Sequence, residues 1–177
     1  MESVSWSRGT SADRAELRTF ACCPGCRTQS VRRPRDPSDC GTEWAHEVQT
    51  YFQNNAIAEA KSGALPYDQR LLLLRDTEDL VGAAAHYSET GSGDGPGGLF
   101  ERRLAAYATA SHVQRGKLST GEYASKALLR AVVSDITSRY SPQDTVIVTA
   151  LVLAMNRPSR TCLERYGWSI AGQQGPH

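Results

Sequence analysis

The sequence predicts a mixed α/β fold in which one central sheet packs between helices. Apolar runs short enough for buried strands and amphipathic stretches of helical period succeed each other along the 177 residues. Their order is one strand, two helices, three strands, a helix, a strand, a helix and a final strand. Consecutive strands favour antiparallel pairing and strands separated by helices favour parallel pairing, so we expect a mixed sheet. The length is typical of one domain, which we expect to cover residues 1–177.

The composition argues against two classes of partner. The formal net charge is +1, which gives no electrostatic reason to expect a nucleic acid or a membrane surface. No apolar run approaches the roughly 20 residues that span a bilayer. The N-terminal residues lack the apolar segment of a signal peptide, so we expect a cytoplasmic protein. Arginine far outnumbers lysine, a bias typical of GC-rich bacterial genomes.

The first third of the chain predicts a strand and two helices. Val4–Trp6 is the first strand, and residues 10–20 form a short capped helix. Residues 22–41 are rich in cysteine, proline and arginine and show no apolar period, which predicts a long loop. Apolar residues recur at helical spacing over residues 42–60, which predicts the second helix.

Three strands follow in succession. The runs "QRLLLLRD" and "LVGAAAHYSE" flank a turn at "TED" and predict a hairpin. The run "LFERRLAAYATAS" predicts a further strand after the glycine-rich "TGSGDGPGG". We interpret that glycine-rich stretch as a flexible connection, because it lacks the Gly-Lys-Ser/Thr ending of a phosphate-binding loop and no helix follows it.

The stretch "VQRGKLSTGEYASKALLRAVVSDITSRY" predicts a strand end, a loop and a helix. Backbone N–H groups at a helix start are unpaired and the helix dipole favours anions there, so this connection is suited to a pyrophosphate. Arg115 and Lys117 would add positive charge. The alternative is a plain connection in which Ser119 or Thr120 caps the helix.

The C-terminal segment predicts a strand, a short helix and a last strand. "DTVIVTALVLA" is a buried strand that ends close to Asn156, and "PSRTCLERYG" is the helix. Pro158 suits the first turn, Gly167 lets the helix stop, and residues 168–172 would form the last strand. Asn156 alone would be explained as a helix cap.

Two motifs within residues 80–171 resemble those of the GCN5-related N-acetyltransferase (GNAT) family. The first is the strand, the "QRGK" loop and the helix "ASKALLRAV", similar to the family's Q/R-x-x-G-x-G/A motif and the helix after it. The second is "NRPSRTCLERYGW", similar to its N-x-x-S/A…E-x-x-G-F signature. Their order and separation also agree with the family.

The resemblance implies a GNAT-like acyl-CoA N-acyltransferase fold. The fourth and fifth strands would splay apart, and acetyl-CoA would enter the gap with its pantetheine arm along the fourth strand and its pyrophosphate on the loop and helix start. The residues that the resemblance assigns to cofactor binding are His112, Val113, Arg115, Gly116, Ser119, Thr120, Gly121, Glu122, Tyr123, Ala124, Ser125, Asn156 and Ser159.

The chain departs from the family pattern in the loop. Aligned from the helix, the family's G-x-G/A falls on residues 123–125; aligned from "QRGK", Gly116 fits but the loop is longer. We prefer the helix-anchored register, with Gly121 near the turn.

A second departure concerns the acid that protonates the leaving thiolate. Many members carry a tyrosine five residues before the final aromatic residue, and here that position is Leu163. Tyr166 lies close by and is our remaining catalytic candidate in this helix. The alternatives are that Tyr166 is a core residue and that the proton comes from another group or from solvent.

The implied reaction transfers an acetyl group directly to a primary amine of a small molecule or peptide. An alkyl amine is protonated at neutral pH, so a base must remove a proton before attack. Glu101 on the fourth strand is our first choice, and Asn156 would face the pantetheine or the cofactor sulfur. Other candidate bases are Glu43, His46, Glu47, His86, Glu89 and His112.

The alternative function is a non-catalytic relative that binds an acyl-CoA or a protein partner. The imperfect loop motif and the missing tyrosine favour it. A monomer and a homodimer both remain open, because the last strand would be an edge that a neighbouring molecule can complete.

The five cysteines suggest a possible tether for the long loop. The spacing of Cys23, Cys26, Cys40 and His46 occurs in structural zinc sites, and Cys22 or Cys23 could pair with Cys26. One CxxC pair is a weak signal, so we expect free thiols and assign no metal ligand. A zinc-stabilised interaction module is the less favoured alternative.

Overall fold

A computed structural model describes residues 3–23, 43–58, 68–89, 97–153 and 156–172. The strands are β1 (Val4–Arg8), β2 (Arg70–Asp76), β3 (Asp79–Ser88), β4 (Leu99–Thr109) and β5 (Thr145–Ala150). The helices are α1 (Arg14–Thr19), α2 (Glu43–Thr50), α3 (Ala124–Thr137) and α4 (Arg157–Arg165). A π-helical turn, Tyr51–Asn55, continues α2.

The strands form one five-stranded sheet in the order β1-β2-β3-β4-β5. The first four strands are antiparallel neighbours, and β5 is parallel to β4. β5 is parallel to β4 because α3, which connects the two strands, carries the chain back to the end of the sheet at which β4 began. The prediction of a mixed α/β sheet is confirmed.

Each face of the sheet carries a separate apolar core, and we name the faces by their helices. On the α3 face, Leu72, Leu74 and Leu104 pack against α3, and Leu163 of α4 joins them. On the α1 face, Leu71, Leu73, Ala83 and Ala85 pack against side chains of α1, α2 and the π-helical turn. The alternation along β2 places successive leucines on opposite faces, as the two-residue period of a strand requires.

A β-bulge in β4 lies at the point where the pairing of β4 with β5 ends. Ala85 and His86 are consecutive in β3, yet they pair with Ala106 and Leu104, so Ala105 is an extra residue in β4. The pairing of β4 with β5 ends at the same place, with Leu104 opposite Ala150. A bulge bends and twists its strand. The predicted splay between these two strands is therefore confirmed.

A buried polar network joins β2, β3 and β4 to the C-terminal half of α3. His86 is fully buried, and its Nε2 lies 3.0 Å from Oδ2 of Asp135. Arg70 donates two hydrogen bonds to the Asp135 carboxylate, of 2.6 and 3.1 Å. Arg102 donates to Nδ1 of His86 at 3.1 Å and to Oδ2 of Asp68 at 2.9 Å. Because Nδ1 accepts, His86 carries its proton on Nε2 and donates it to Asp135.

The network shifts the pKa values of His86 and Asp135. Burial lowers the pKa of His86, although the hydrogen bond to Asp135 opposes that change. Burial alone would raise the pKa of Asp135, but the hydrogen bonds from His86 and Arg70 outweigh it and the pKa is lowered. His86 is thus a neutral structural residue, and its candidacy as a catalytic base is wrong.

The C-terminal prediction of a strand over residues 168–172 is also wrong. These residues have no regular secondary structure, and Ser169 to Gly172 are exposed. A strand needs a neighbour to pair with its backbone, and within the described chain none lies beside this segment. Most of the predicted loop 22–41 and most of the glycine-rich stretch lie outside the described residues. No helix of the described segments is both long and apolar enough to cross a bilayer.

Candidate functional site

The candidate site begins at the cleft that the bulge opens between β4 and β5. Residues 106–109 of β4 pair with β3 on one edge, and within the described segments no strand covers the other edge of residues 105–109. Residues 151–153 continue beyond β5 without strand pairing. An uncovered strand edge presents backbone donors and acceptors that an extended amide-containing chain can pair with.

Tyr107 bridges this part of β4 to α4. Its hydroxyl donates a hydrogen bond of 3.1 Å to the carbonyl oxygen of Ser159 in the first turn of the helix. Burial, together with the neighbouring Cys162 thiol, raises the pKa of Tyr107. Sequence reasoning missed this residue. The signal was a single tyrosine in the otherwise small-residue stretch "LAAYATA".

The loop between β4 and α3 ends at an uncapped helix start. A single 3-10 turn, Ser111–Val113, leads into the loop, and an isolated bridge joins Lys117 to Tyr123. Tyr123 is the N-cap of α3, and its side chain makes no capping hydrogen bond. The alternative in which Ser119 or Thr120 caps the helix is therefore wrong. The first amides of α3 keep the electrostatic character of an anion-binding helix start.

Gly121 and Gly116 occupy different backbone conformations in this loop. Gly121 has a φ of +80°, in the left-handed region that disfavours other residues. Gly116 has no such φ, and a Cβ there would meet Val113 at an ordinary contact distance of 3.9 Å. The backbone requirement for glycine thus falls at Gly121, the position expected from the helix-anchored register.

The polar side chains of the loop are partly engaged within the protein. The backbone N–H of Ser119 donates to Oδ2 of Asp76 at 2.8 Å, and its hydroxyl also donates to that carboxylate. The carboxylate of Glu122 forms ion pairs with Lys126 at 3.8 Å and Arg130 at 2.8 Å. Neither side chain is turned toward an incoming phosphate in this arrangement.

The remaining loop residues assigned to the cofactor lie in one stretch of chain. His112, Arg115, Thr120 and Tyr123 are exposed, whereas Val113, Gly116 and Ser125 are half-buried and Ala124 is buried. Arg115 and Lys117 flank the turn at Gly116 and both are exposed, and the Lys117 ammonium lies 5.8 Å from the centre of the Tyr123 ring.

Asn156 is the N-cap of α4. Its Oδ1 accepts a hydrogen bond of 3.2 Å from the backbone N–H of Ser159, and a proline follows in the first turn. The capping explanation of this asparagine is therefore correct, and it leaves the Nδ2 group of Asn156 available for a second role.

Tyr166 lies at the other end of the same helix. It is the C-cap of α4, whose nine residues span about 13 Å, and it packs half-buried against the α3-face core. Leu163, at the family's tyrosine position, is buried in that core. The structure does not bring Tyr166 to the end of the helix where Asn156 lies.

Glu101 lies on the α1 face of β4 and is half-buried. Its Oε1 accepts a hydrogen bond of 3.3 Å from the hydroxyl of Thr149 in β5. Arg103, on the same face, pairs with Glu89 at 2.8 Å. Glu101 precedes Ala105 by four residues, about 13 Å along a strand. It therefore lies in the paired part of the sheet, before the cleft.

The other candidate bases either form an ion pair or lie on elements other than β4. Glu89 is the ion-pair partner of Arg103, and His112 is exposed in the 3-10 turn after β4. His46 and Glu47 lie on α2, and the side chain of Glu43 is outside the described part.

Gln49 holds the segment that leaves α1 against α2. This side chain is 2% exposed; its Oε1 accepts from the backbone N–H of Cys22 and Cys23 at 2.6 and 3.3 Å. Its Nε2 donates to the carbonyl oxygen of Phe20 at 2.5 Å. Gln114 donates to the carbonyl oxygen of Cys22 and, at 3.3 Å, to that of Thr109 at the end of β4. The α1–α2 connection is thereby tied to the loop that follows β4, a link that sequence reasoning missed.

The cysteine predictions are tested only in part. Cys22 and Cys23 are buried, and burial, with the neighbouring Cys23, raises the pKa of Cys22 to about 12. Cys26 and Cys40 lie outside the described residues. Among those that are described, no group of metal-ligating side chains assembles.

Comparisons with known proteins identify the fold. No protein-family model and no curated protein sequence matches the chain. The structure of the aminoglycoside N-acetyltransferase AAC(6')-Iy with CoA is similar at a TM-score of 0.58 and 11% identity, over 100% of this chain and 95% of that one. A ribosomal-protein-alanine N-acetyltransferase from Brucella melitensis is similar at 0.52 and 19%, over 99% of both chains.

A third similar structure is a transcriptional regulator from Bacillus halodurans, at a TM-score of 0.58 and 12% identity over 99% of both chains. At these identities the likeness shows the fold alone. The chain therefore has the fold of the GNAT acetyltransferases, as the sequence motifs predicted.

Proposed function

We propose that this protein transfers an acetyl group from acetyl-CoA to a primary amine of a small molecule or peptide. The observation that carries the proposal is the bulge at Ala105, which ends the pairing of β4 with β5 and leaves residues 105–109 with an uncovered edge. The solved structures with this fold include an aminoglycoside N-acetyltransferase crystallised with CoA and with a bisubstrate analogue that contains CoA. Fold alone does not specify function, so the proposal depends on what the cleft offers chemically.

The cleft suits the two parts of CoA. The pantetheine arm contains amide groups, which pair with strand backbone as a neighbouring strand would. The uncapped start of α3 and the turn at Gly121 suit the pyrophosphate. Because the side chains of Ser119 and Glu122 are engaged elsewhere, we assign this contact to backbone N–H groups and to Arg115.

The proposed chemistry is direct attack of the amine on the thioester. The ammonium first loses one proton to become the free amine. The amine nitrogen then bonds to the acetyl carbon, the bond from that carbon to sulfur breaks, and the nitrogen loses its second proton to solvent. We assign Glu101 as the acceptor of the first proton through a chain of water molecules, because it lies about 13 Å along β4 from Ala105. Backbone N–H groups of β4 beside the bulge would stabilise the oxyanion.

The thiolate leaves with a proton from solvent in this proposal. Burial raises the pKa of Tyr107 and favours its protonated form, whereas a thiol has a pKa of about 8.5. Proton transfer from Tyr107 to the thiolate is then uphill. Leu163 cannot donate, and Tyr166 is at the far end of α4.

Two measurements test the proposal together. Isothermal titration with acetyl-CoA reports binding, and release of free CoA thiol over a panel of amines reports transfer. We expect both, with Glu101→Gln lowering turnover by 10²–10⁴-fold while acetyl-CoA affinity is retained. A variant with unchanged turnover would remove Glu101 from the mechanism, and absence of acetyl-CoA binding would contradict the proposal as a whole.

The second candidate function is binding without catalysis. The leucine at the family's tyrosine position favours it, and a transcriptional regulator shares the fold. Acetyl-CoA binding without thiol release from any amine in the panel would support this alternative.

A further inference from the structure

The outer edge of β5 is uncovered in the described part of the protein. β5 is the last strand in the sheet order and pairs with β4 along its inner edge. Residues 168–172, which sequence reasoning placed in a further strand, form none. The cleft lies on the inner side of this chain, between β4 and the residues that follow Ala150. A partner bound to the outer edge of β5 would therefore leave the cleft open.

The stretch from Thr145 to Leu153, "TVIVTALVL", lacks the features that protect an edge strand. It contains no charged residue and no proline, which are the usual devices against edge-to-edge pairing. Three of its apolar side chains are exposed: Ile147 at 49% in β5, and Leu151 at 62% and Leu153 at 54% in the chain that continues beyond β5. The other edge of the sheet, β1, reads "VSWSR" and ends in an arginine. The apolar edge therefore belongs to β5.

The stretch is self-complementary about its central residue. In an antiparallel pair centred on Thr149, residue 149 lies opposite itself, and Ile147 lies opposite Leu151 of the other copy. Val148 then faces Ala150, Val146 faces Val152, and every cross-strand pair is uncharged. Opposed apolar and β-branched pairs stabilise a sheet, and like charges opposite each other destabilise it.

We propose that the outer edge of β5 is the interface with a second copy of this chain, related by a two-fold axis through Thr149. Antiparallel pairing of the two β5 strands then joins two five-stranded sheets into one. Ile147 and Leu151 pair across the axis on the α1 face, twice per dimer. The interface is isologous, as a two-fold axis requires. It depends on the open edge and not on the proposed reaction, so either proposal can fail without the other.

Disulfide crosslinking tests the register. In the proposed pairing the two 149 positions lie about 5 Å apart between Cα atoms, within the span of a disulfide. Thr149→Cys is therefore expected to form a covalent dimer under mild oxidation. Ile147→Cys is the matched control, because the two 147 positions lie about 13 Å apart along the strands, too far for a disulfide. The wild-type protein, oxidised in parallel, measures the background from its own cysteines.

Sedimentation velocity tests the interface itself. The wild-type chain is expected to be a dimer and Ile147→Glu a monomer, because the variant places an unpaired carboxylate opposite Leu151. The double variant Ile147→Glu, Leu151→Lys is expected to recover the dimer, since the two new charges then face each other across the axis. Val133→Glu, at a comparably exposed apolar position on α3, controls for the added charge and should remain dimeric.

Several outcomes would overturn the inference. They are a wild-type monomer at the highest soluble concentration, an Ile147→Glu variant that remains a dimer, and a double variant that remains a monomer while its circular dichroism matches the wild type. Equal crosslinking of Thr149→Cys and Ile147→Cys would overturn the register.

Discussion

At the scale of single residues, the loop before α3 contains one glycine that its backbone conformation requires. Gly121→Val is expected to weaken acetyl-CoA binding by roughly 10-fold, because a left-handed conformation costs other residues about 1–2 kcal/mol and the turn must change to relieve that strain. Isothermal titration measures the effect. Gly116→Ala is the control, since a Cβ there meets Val113 at 3.9 Å; equal losses in both variants would show that the loop tolerates no substitution and that Gly121 has no special role.

Asn156 is a helix cap, and its proposed second role can be separated from that one. Asn156→Ala should cost about 1 kcal/mol of stability by loss of the cap and should reduce turnover by more than this loss explains. Asn156→Ser keeps a capping oxygen but removes Nδ2, so we expect wild-type melting with reduced turnover. If Asn156→Ser had both the melting temperature and the turnover of the wild type, Asn156 would act only as a helix cap. Thermal melting and steady-state kinetics provide the two readouts.

At the scale of elements, one buried glutamine anchors the connection between α1 and α2. Gln49→Leu leaves the N–H of Cys22, the N–H of Cys23 and the carbonyl oxygen of Phe20 without this partner. Each buried polar group left unsatisfied costs about 1–3 kcal/mol. We therefore expect a marked drop in the urea midpoint. Gln53→Leu removes one shared bond of 3.1 Å to Phe20 and should have the smaller effect; the reverse order would contradict the assigned anchor.

The element boundaries were predictable where a local signal existed. The leucines of β2, the turn before β3 and the apolar face of α3 all follow from short-range patterns, and the structure has these elements. The start of α3 was less predictable. Ser119 is a good capping residue by type, but Asp76 at the end of β2 binds its N–H and hydroxyl. A partner 43 residues away in sequence thus decided which residue begins the helix.

At the scale of the whole molecule, the His86 network makes stability depend on pH. The folded-state pKa of His86 is lowered, so as pH falls below about 6.5, the ordinary value for histidine, the unfolded chain takes up a proton first. Stability is therefore complete above that pH and decreases below it, down to the lowered pKa. The lowered pKa of Asp135 adds a second loss below the ordinary aspartate range. Urea midpoints measured between pH 5 and 8 are expected to decrease as the pH falls below about 6.5, which is the loss caused by His86.

Variants identify the group responsible for that decline. His86→Gln should flatten the dependence between pH 5 and 7, at some cost in stability, because the amide does not titrate in that range. The exposed His112 provides the matched control, and His112→Gln should keep the wild-type slope. A slope that persists in His86→Gln would assign the pH dependence to another group.

The sequence by itself determined the order of strands and helices as far as α4, the two motifs and the region of the cleft. These follow from periodicity, turn chemistry and residue spacing, which operate over a few neighbouring residues. It also indicated that Asn156 could cap the last helix, because a capping side chain bonds to a backbone N–H only two or three residues further along the chain.

Only the tertiary structure decided which side chains meet. The contact of Tyr107 with Ser159 and that of His86 with Asp135 join residues 52 and 49 positions apart. The extra residue Ala105 depends on the register between β3 and β4. A shift of one residue in a strand moves every side chain to the other face, and no local pattern specifies that register to one residue. Packing of both faces against helices selects it, and so places Glu101 before the cleft and Tyr166 at the far end of α4.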